Sequence, residues 1–227
     1  MLIKKYKSLI IILCLLLIFS IQTIKAEELP LFGVIITVDA GHGGRDPGTS
    51  YGNIEEKDIN LEISKKLEKE LTKNGAIVYM VRDSDIDLSS IYDSRKKRGD
   101  LYRRIKFIEK NQSDLYLSIH LNWYKNSSYR GAEVLYHNIN ENNKILATSL
   151  QEQFNKSMGT KRKIKTTDLY LYRNTKTPGV LIECGFISNY QDRMLVTTKE
   201  GQEKISKIIT EGVIDYLEKI KKEKIIL

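Results

Sequence analysis

The chain has 227 residues, 41% of them hydrophobic and 29% charged, with a formal charge of +8 at neutral pH. This balance suits one globular domain with a sizeable core and excludes a disordered or collagen-like chain. The charge does not itself point to nucleic acid: the first 26 residues hold four lysines and no acid, which leaves only about +4 on the rest.

The chain begins "MLIKKYKSLIIILCLLLIFSIQTIKAEELP". Lys4, Lys5 and Lys7 precede an apolar run from Leu9 to Ile21, then a short polar stretch and Ala26. A basic start, an apolar middle and a small residue near the cut form a secretory signal over residues 1–26, with the mature chain at 27–227. The run is short for a spanning helix, which needs about 20 residues. Ile24, third before the cut, is a weaker choice than alanine, so an uncleaved anchor is the alternative. In both cases the chain is exported and touches the membrane only through this segment. Cys14 leaves with a cleaved signal; Cys184, in "VLIECGF", then has no disulfide partner and reads as a small buried residue.

Beyond the leader, strands and helices alternate. "GVIITVDA" (33–40) is a strand buried on both faces. It runs into "VDAGHGGRDPG", where His42 is flanked by glycines with Asp39 behind it. Next, "DINLEISKKLEKELTKNG" places Ile59, Ile63, Leu67 and Leu71 at four-residue steps, an amphipathic helix stopped by Asn74-Gly75. "AIVYMVR" (76–82) is a strand, and a polar stretch leads to a helix over 101–110. The basic run "RKKRGDLYRR" (95–104) reads as the solvated start of that helix rather than a nucleic-acid surface. "DLYLSIHLN" (114–122) and "GAEVLYHN" (131–138) are strands, 141–158 a helix, "DLYLYRN" (168–174) a short strand, "GVLIECGF" (179–186) a buried strand and 198–222 a closing helix. The expected architecture is α/β, a mostly parallel sheet with helices on both faces in a single catalytic domain.

Three strands in this reading end on reactive side chains: His42, His120 and Glu183. Ligands in parallel sheets bind beyond the strands' carboxyl ends, so these groups are expected to converge there. Glu55 and Glu56 lie at the start of the first helix. Two histidines and a carboxylate make a three-ligand zinc set with a fourth position for water. The glycines beside His42 would let metal and substrate approach. Each part has a plainer reading: a hydrogen-bonded histidine, a glutamate facing the helix dipole, or a buried Glu183 paired with Arg173. His137 reads as surface or structural.

"VDAGHGGRDPGT", "EEKDINLEISKKL", "LSIHLN", "GAEVLY" and "TPGVLIECGFISN" resemble, in order, the motifs of the zinc-dependent N-acetylmuramoyl-L-alanine amidases, and within them the short single-domain enzymes of the spore cortex and germination. The likeness spans residues 33 to about 220. It implies His42, Glu56 and His120 as zinc ligands and Glu183 as the catalytic carboxylate, with Glu55 not chosen. Ala40 stands where the family often has proline, a departure expected to alter only the turn before His42. The resemblance also implies hydrolysis of the amide between muramic acid and L-alanine in peptidoglycan, in cortex a first step towards the muramic lactam. Asn122 and Arg173 are candidate substrate contacts. A separate protein that positions or activates the enzyme is expected, because no targeting module is present and the segment between His120 and Glu183 has room for only one ordinary helix. No nucleic-acid partner is expected. The place of action would be the cell wall or the space between the forespore membranes. The rival readings are a zinc peptidase cutting within the stem peptide and a non-catalytic wall-binding protein.

Overall fold

The computed structural model describes residues 29–226; the expected signal segment lies outside them. A six-stranded sheet carries the molecule, in the order β4-β1-β5-β8-β6-β7. Its strands are β1 (Ile35–Ala40), β4 (Ile77–Met80), β5 (Leu115–Asn122), β6 (Glu133–Tyr136), β7 (Lys165–Thr166) and β8 (Gly179–Phe186). The first four in spatial order, β4, β1, β5 and β8, run parallel. β6 is antiparallel to β8 and parallel to β7. A small hairpin of β2 (Ser50–Tyr51) and β3 (Ile54–Glu55) stands apart.

Strand side chains alternate between the two faces of a sheet. On one face Ile36, Val38, Leu115, Leu117, Ile119, Val180, Ile182 and Cys184 form the main core. Three amphipathic helices close this face: α1 (Glu56–Lys73), α3 (Glu141–Met158) and α6 (Lys199–Ile226). α1 buries Ile59, Ile63, Leu67 and Leu71, the four-residue stripe seen in the sequence. α5 (Tyr190–Thr197), in a segment to which the sequence assigns no element, packs on α6 and β8. Asn140 caps α3, its side chain accepting from the Asn142 amide, and Gly159 ends it in the left-handed region at φ 63°.

The opposite face has thinner cover. Only α2 (Lys96–Lys110) and the short α4 (Tyr170–Arg173) lie over it among the described residues, around a small cluster of Ile105, Ile108, Tyr116 and Leu181. Two expectations fail here. α2 begins at Lys96, not 101, and Arg104 in its basic run is buried rather than solvated. The expected strand over 168–174 is helical at Tyr170–Arg173. Its alternating Leu and Tyr match a strand pattern, but β6 ends at Tyr136, and the last edge bond runs from the Thr167 amide to the Tyr136 carbonyl at 2.8 Å. Without a partner to pair with, the following residues coil over α2, where Arg98 lies 5.6 Å from the Tyr170 ring centroid.

Candidate metal and catalytic site

The site grows from the thinly covered face. Asp39, Ser118 and His120 alternate with the core residues of β1 and β5, so they point away from the main core, as Glu183 does on β8. His120 and Glu183 are therefore not strand-end residues as expected. They lie inside β5 and β8, directly paired in register. The pairing shifts between His120 and Asn122.

His42 follows the end of β1 in a left-handed conformation, φ 62°, rare for a residue with a side chain. Glu56 opens α1 with its backbone N–H bonded to the Thr49 carbonyl. One carboxylate oxygen, Glu56 Oε1, lies 3.3 Å from His42 Nε2 and 3.0 Å from His120 Nδ1. The same oxygen accepts from the Leu121 amide at 3.0 Å and from Asn60 Nδ2 at 3.2 Å. Glu56 Oε2 accepts from the Thr49 amide at 2.8 Å. Burial alone would raise the Glu56 pKa, but the two histidines more than offset it and hold the carboxyl well below the usual carboxylate range. Burial of the His42 ring disfavours its charged form; Glu56 and Asp46 outweigh this and raise its pKa. Asp46 Oδ2 sits 3.0 Å from His42 Nδ1, on the other edge of the ring from Glu56.

Ligand atoms of His42, Glu56 and His120 all lie within 4.8 Å of one another. Two nitrogens and an oxygen converging on one point suit a zinc ion. The backbone around these side chains is bare: a Cβ at Gly41 would run into the His120 ring, and one at Gly48 would come 2.5 Å from Glu56 Oε2. The residues present thus fit the group.

Glu183 is half-buried as a residue, yet its Oε2 is out of solvent and has no hydrogen-bond partner. Burial, then the negative charges of Glu56 and Glu133, push its pKa up to about 8. The alternative pairing with Arg173 does not occur. Arg173 is exposed at the end of α4, with Nε 3.2 Å from Asp168. Asn122 closes β5, and its Oδ1 accepts from the Trp123 amide. His137 Nε2 lies 3.3 Å from Asp168 and joins no ligand group. Cys184 is fully buried on the opposite face, and burial pushes its thiol pKa up, so no reactive thiolate arises there.

A cavity of about 200 Å³ opens beside the ligands, walled by Asp39, His42, Ser118, His120, Arg104 and Tyr170. The sequence reading missed Asn60, Arg82 and Arg104. Asn60 was findable, since it lies one helical turn after Glu56 on the same face. The arginines carried no comparable signal: Arg104 was hidden in a basic run.

The chain matches the family described as N-acetylmuramoyl-L-alanine amidase over residues 36–215. It is 37% identical over 197 residues to a germination-specific N-acetylmuramoyl-L-alanine amidase of Bacillus subtilis, covering 85% of this chain and 83% of that protein. LytC of the same organism is 31% identical over 202 residues, where the chain spans 38% of that longer protein. Among solved structures, the CwlD amidase from Clostridioides difficile, in complex with the GerS lipoprotein, superposes with a TM-score of 0.78 at 34% identity, covering 82% of this chain and 98% of that one.

Proposed function

The chain belongs to the N-acetylmuramoyl-L-alanine amidase family and acts on peptidoglycan, and from that premise we propose a zinc-dependent enzyme of the spore cortex with His42, Glu56 and His120 as ligands and Glu183 as proton carrier. The observation that carries it is the convergence of the three ligand atoms beside a buried, unpaired carboxyl on the neighbouring strand.

A zinc ion bound there would polarise the amide carbonyl and make water more acidic. The protein's own residues do the rest. In the metal-free site Glu56 is held ionised by both histidines, ready to accept a cation in their place. Asp46 lies behind the His42 ring, 3.0 Å from Nδ1, where a carboxylate can orient a ligating histidine. Glu183, the buried carboxyl on the strand beside the ligands, would in its ionised form take a proton from the attacking water and return it to the leaving amine of L-alanine. The groups facing the cavity, with Asn122 at the end of β5, position the sugar and the peptide; Arg173 is a contact further out on α4.

Residues 1–26 would export the chain, and 27–227 would work outside the cytoplasm, in the wall or between the forespore membranes. No helix among the described residues is long and apolar enough to cross a membrane. The cortex assignment is supported by the germination-specific relative. A protein partner that positions or activates the enzyme is supported by the relative solved with a lipoprotein. The test is mass analysis of purified cortex and of vegetative wall before and after digestion. Free N-terminal L-alanine together with peptide-free muramic acid is expected, and from cortex in preference to vegetative wall. New termini within the stem peptide would instead mark a peptidase.

A further inference from the structure

Two buried arginines meet at the backbone just past β1. Arg82 and Arg104 are each only 2% exposed. Arg82 Nε donates to the Ala40 carbonyl at 2.8 Å and its Nη2 to the Gly41 carbonyl at 3.0 Å. Arg104 Nη1 donates to the Ala40 carbonyl at 3.0 Å and its Nη2 to the His42 carbonyl at 2.7 Å. Three successive carbonyls are thus gripped by two guanidinium groups. Burying two like charges near one another is costly: Arg104 disfavours the charged form of Arg82, while Asp39 and Asp100 favour that of Arg104.

Their other contacts show what the grip is joined to. Arg82 Nη2 also donates to the Lys57 carbonyl at 2.7 Å, next to Glu56. One guanidinium therefore ties the His42 turn to the first turn of the helix that carries Glu56. Arg104 Nη1 is 2.5 Å from Asp39 Oδ1, and the other oxygen of Asp39 accepts from Ser118 Oγ at 2.8 Å. Ser118 precedes His120 by two residues on the same face of β5. The second guanidinium therefore ties the His42 turn to the strand that carries His120. Asp100, bonded to Arg104 Nε at 2.8 Å, anchors this arginine to its own helix.

We infer that Arg82 and Arg104 are positioning residues that set the spacing of the three ligand carriers, Arg82 between His42 and Glu56 and Arg104, through Asp39 and Ser118, between His42 and His120. His42 needs such support because its left-handed backbone is unfavourable for a residue with a Cβ, and it is followed by Gly43 and Gly44, both at positive φ. A planar fork can hold several carbonyls at fixed angles, whereas an ammonium group cannot. The inference rests on the proposed ligand set.

The experiment measures the zinc dissociation constant by chelator competition, and the visible absorption spectrum of the cobalt-loaded protein, for the full chain and its variants. His42→Ala tests the ligand set: if it binds zinc as the parent does, that reading fails, independently of the arginines. With the ligand set intact, Arg82→Lys and Arg104→Lys should each weaken zinc binding by about 10–100-fold and shift the cobalt spectrum. Ser118→Ala, which removes the side-chain link from Asp39 to β5 without touching a charge, should weaken it several-fold and covers the case where an arginine variant does not fold. Ile209→Ala, a core change on the opposite face, is the control for general loosening and should leave both readouts unchanged. Zinc affinities within twofold of the parent in Arg82→Lys and Ser118→Ala, both folded, would overturn the inference. So would an equal loss of affinity in Ile209→Ala.

Discussion

His120 and Glu183 stand opposite one another across the β5–β8 pairing and project from the same, thinly covered face of the sheet. One belongs to the group that converges on Glu56; the other keeps an unpaired buried oxygen. Adjacent in space, they have separable chemical roles.

That separation can be measured. His42→Ala, Glu56→Ala and His120→Ala should each lose bound zinc and hydrolysis together. Glu183→Gln should retain zinc near one per chain and fall in turnover by about 10²–10⁴-fold, the range expected for a general acid–base group. Glu55→Ala and His137→Ala should keep both. Metal content and turnover on the same samples check this; near-normal turnover in Glu183→Gln would sink the assigned role.

The zinc-free protein should show Glu183 in its pH dependence. Its carboxyl rises from the ordinary 4.5 to about 8 on folding. Between those values the unfolded chain gives up the proton and the folded chain keeps it, so this group lowers stability as pH rises through the window. Glu183→Gln removes that slope. In chelator, the variant should gain on the parent from pH 5 to 8, by on the order of a few kcal/mol, read from denaturant midpoints. A difference that stays constant with pH would contradict the buried, unpaired state.

Glu56 has the opposite sign. Its pKa is depressed in the fold, so its contribution is present above about 4.5 and is lost as pH falls. Glu56→Gln should therefore flatten the acid limb of the zinc-free protein's stability curve. An unchanged acid limb would show that the histidines do not hold the carboxylate.

Gly41→Ala should damage the metal site more than the fold. The added methyl collides with the His120 ring, while Gly41 itself has no positive φ to lose. Zinc affinity should drop by at least tenfold, about 1.4 kcal/mol, with the circular dichroism spectrum unchanged. A variant that binds zinc as tightly as the parent would show that His120 is free to move.

The proposed partner should also leave a trace. The purified chain alone is expected to cleave cortex more slowly than the same amount of enzyme in extract from sporulating cells. Equal rates with full zinc occupancy would rule out a required activator.

Local pattern was enough for much of this. The stripe of Ile59, Ile63, Leu67 and Leu71 defined α1, and the apolar runs of β1, β5 and β8 marked buried strands, because burial imposes periods that a linear sequence displays. The glycine-flanked His42, the "SIHLN" histidine and the glutamate in "LIECGF" were visible as chemistry, and motif order named the family. Other features depended on partners far along the chain. The segment over 168–174 looked like a strand, but a strand needs an edge to pair with, and β6 ends too soon. Arg104 looked solvated, because nothing near it in sequence tells that Asp39, 65 residues away, neutralises it in the core. The site was expected beyond the strand ends, where His42 does lie; His120 and Glu183 instead sit inside their strands, and alternation turns them, with Asp39 and Ser118, to the thinly covered face. Side-chain type and spacing are local properties, whereas the burial, pairing and pKa of those side chains are set by which distant backbone comes to lie beside them.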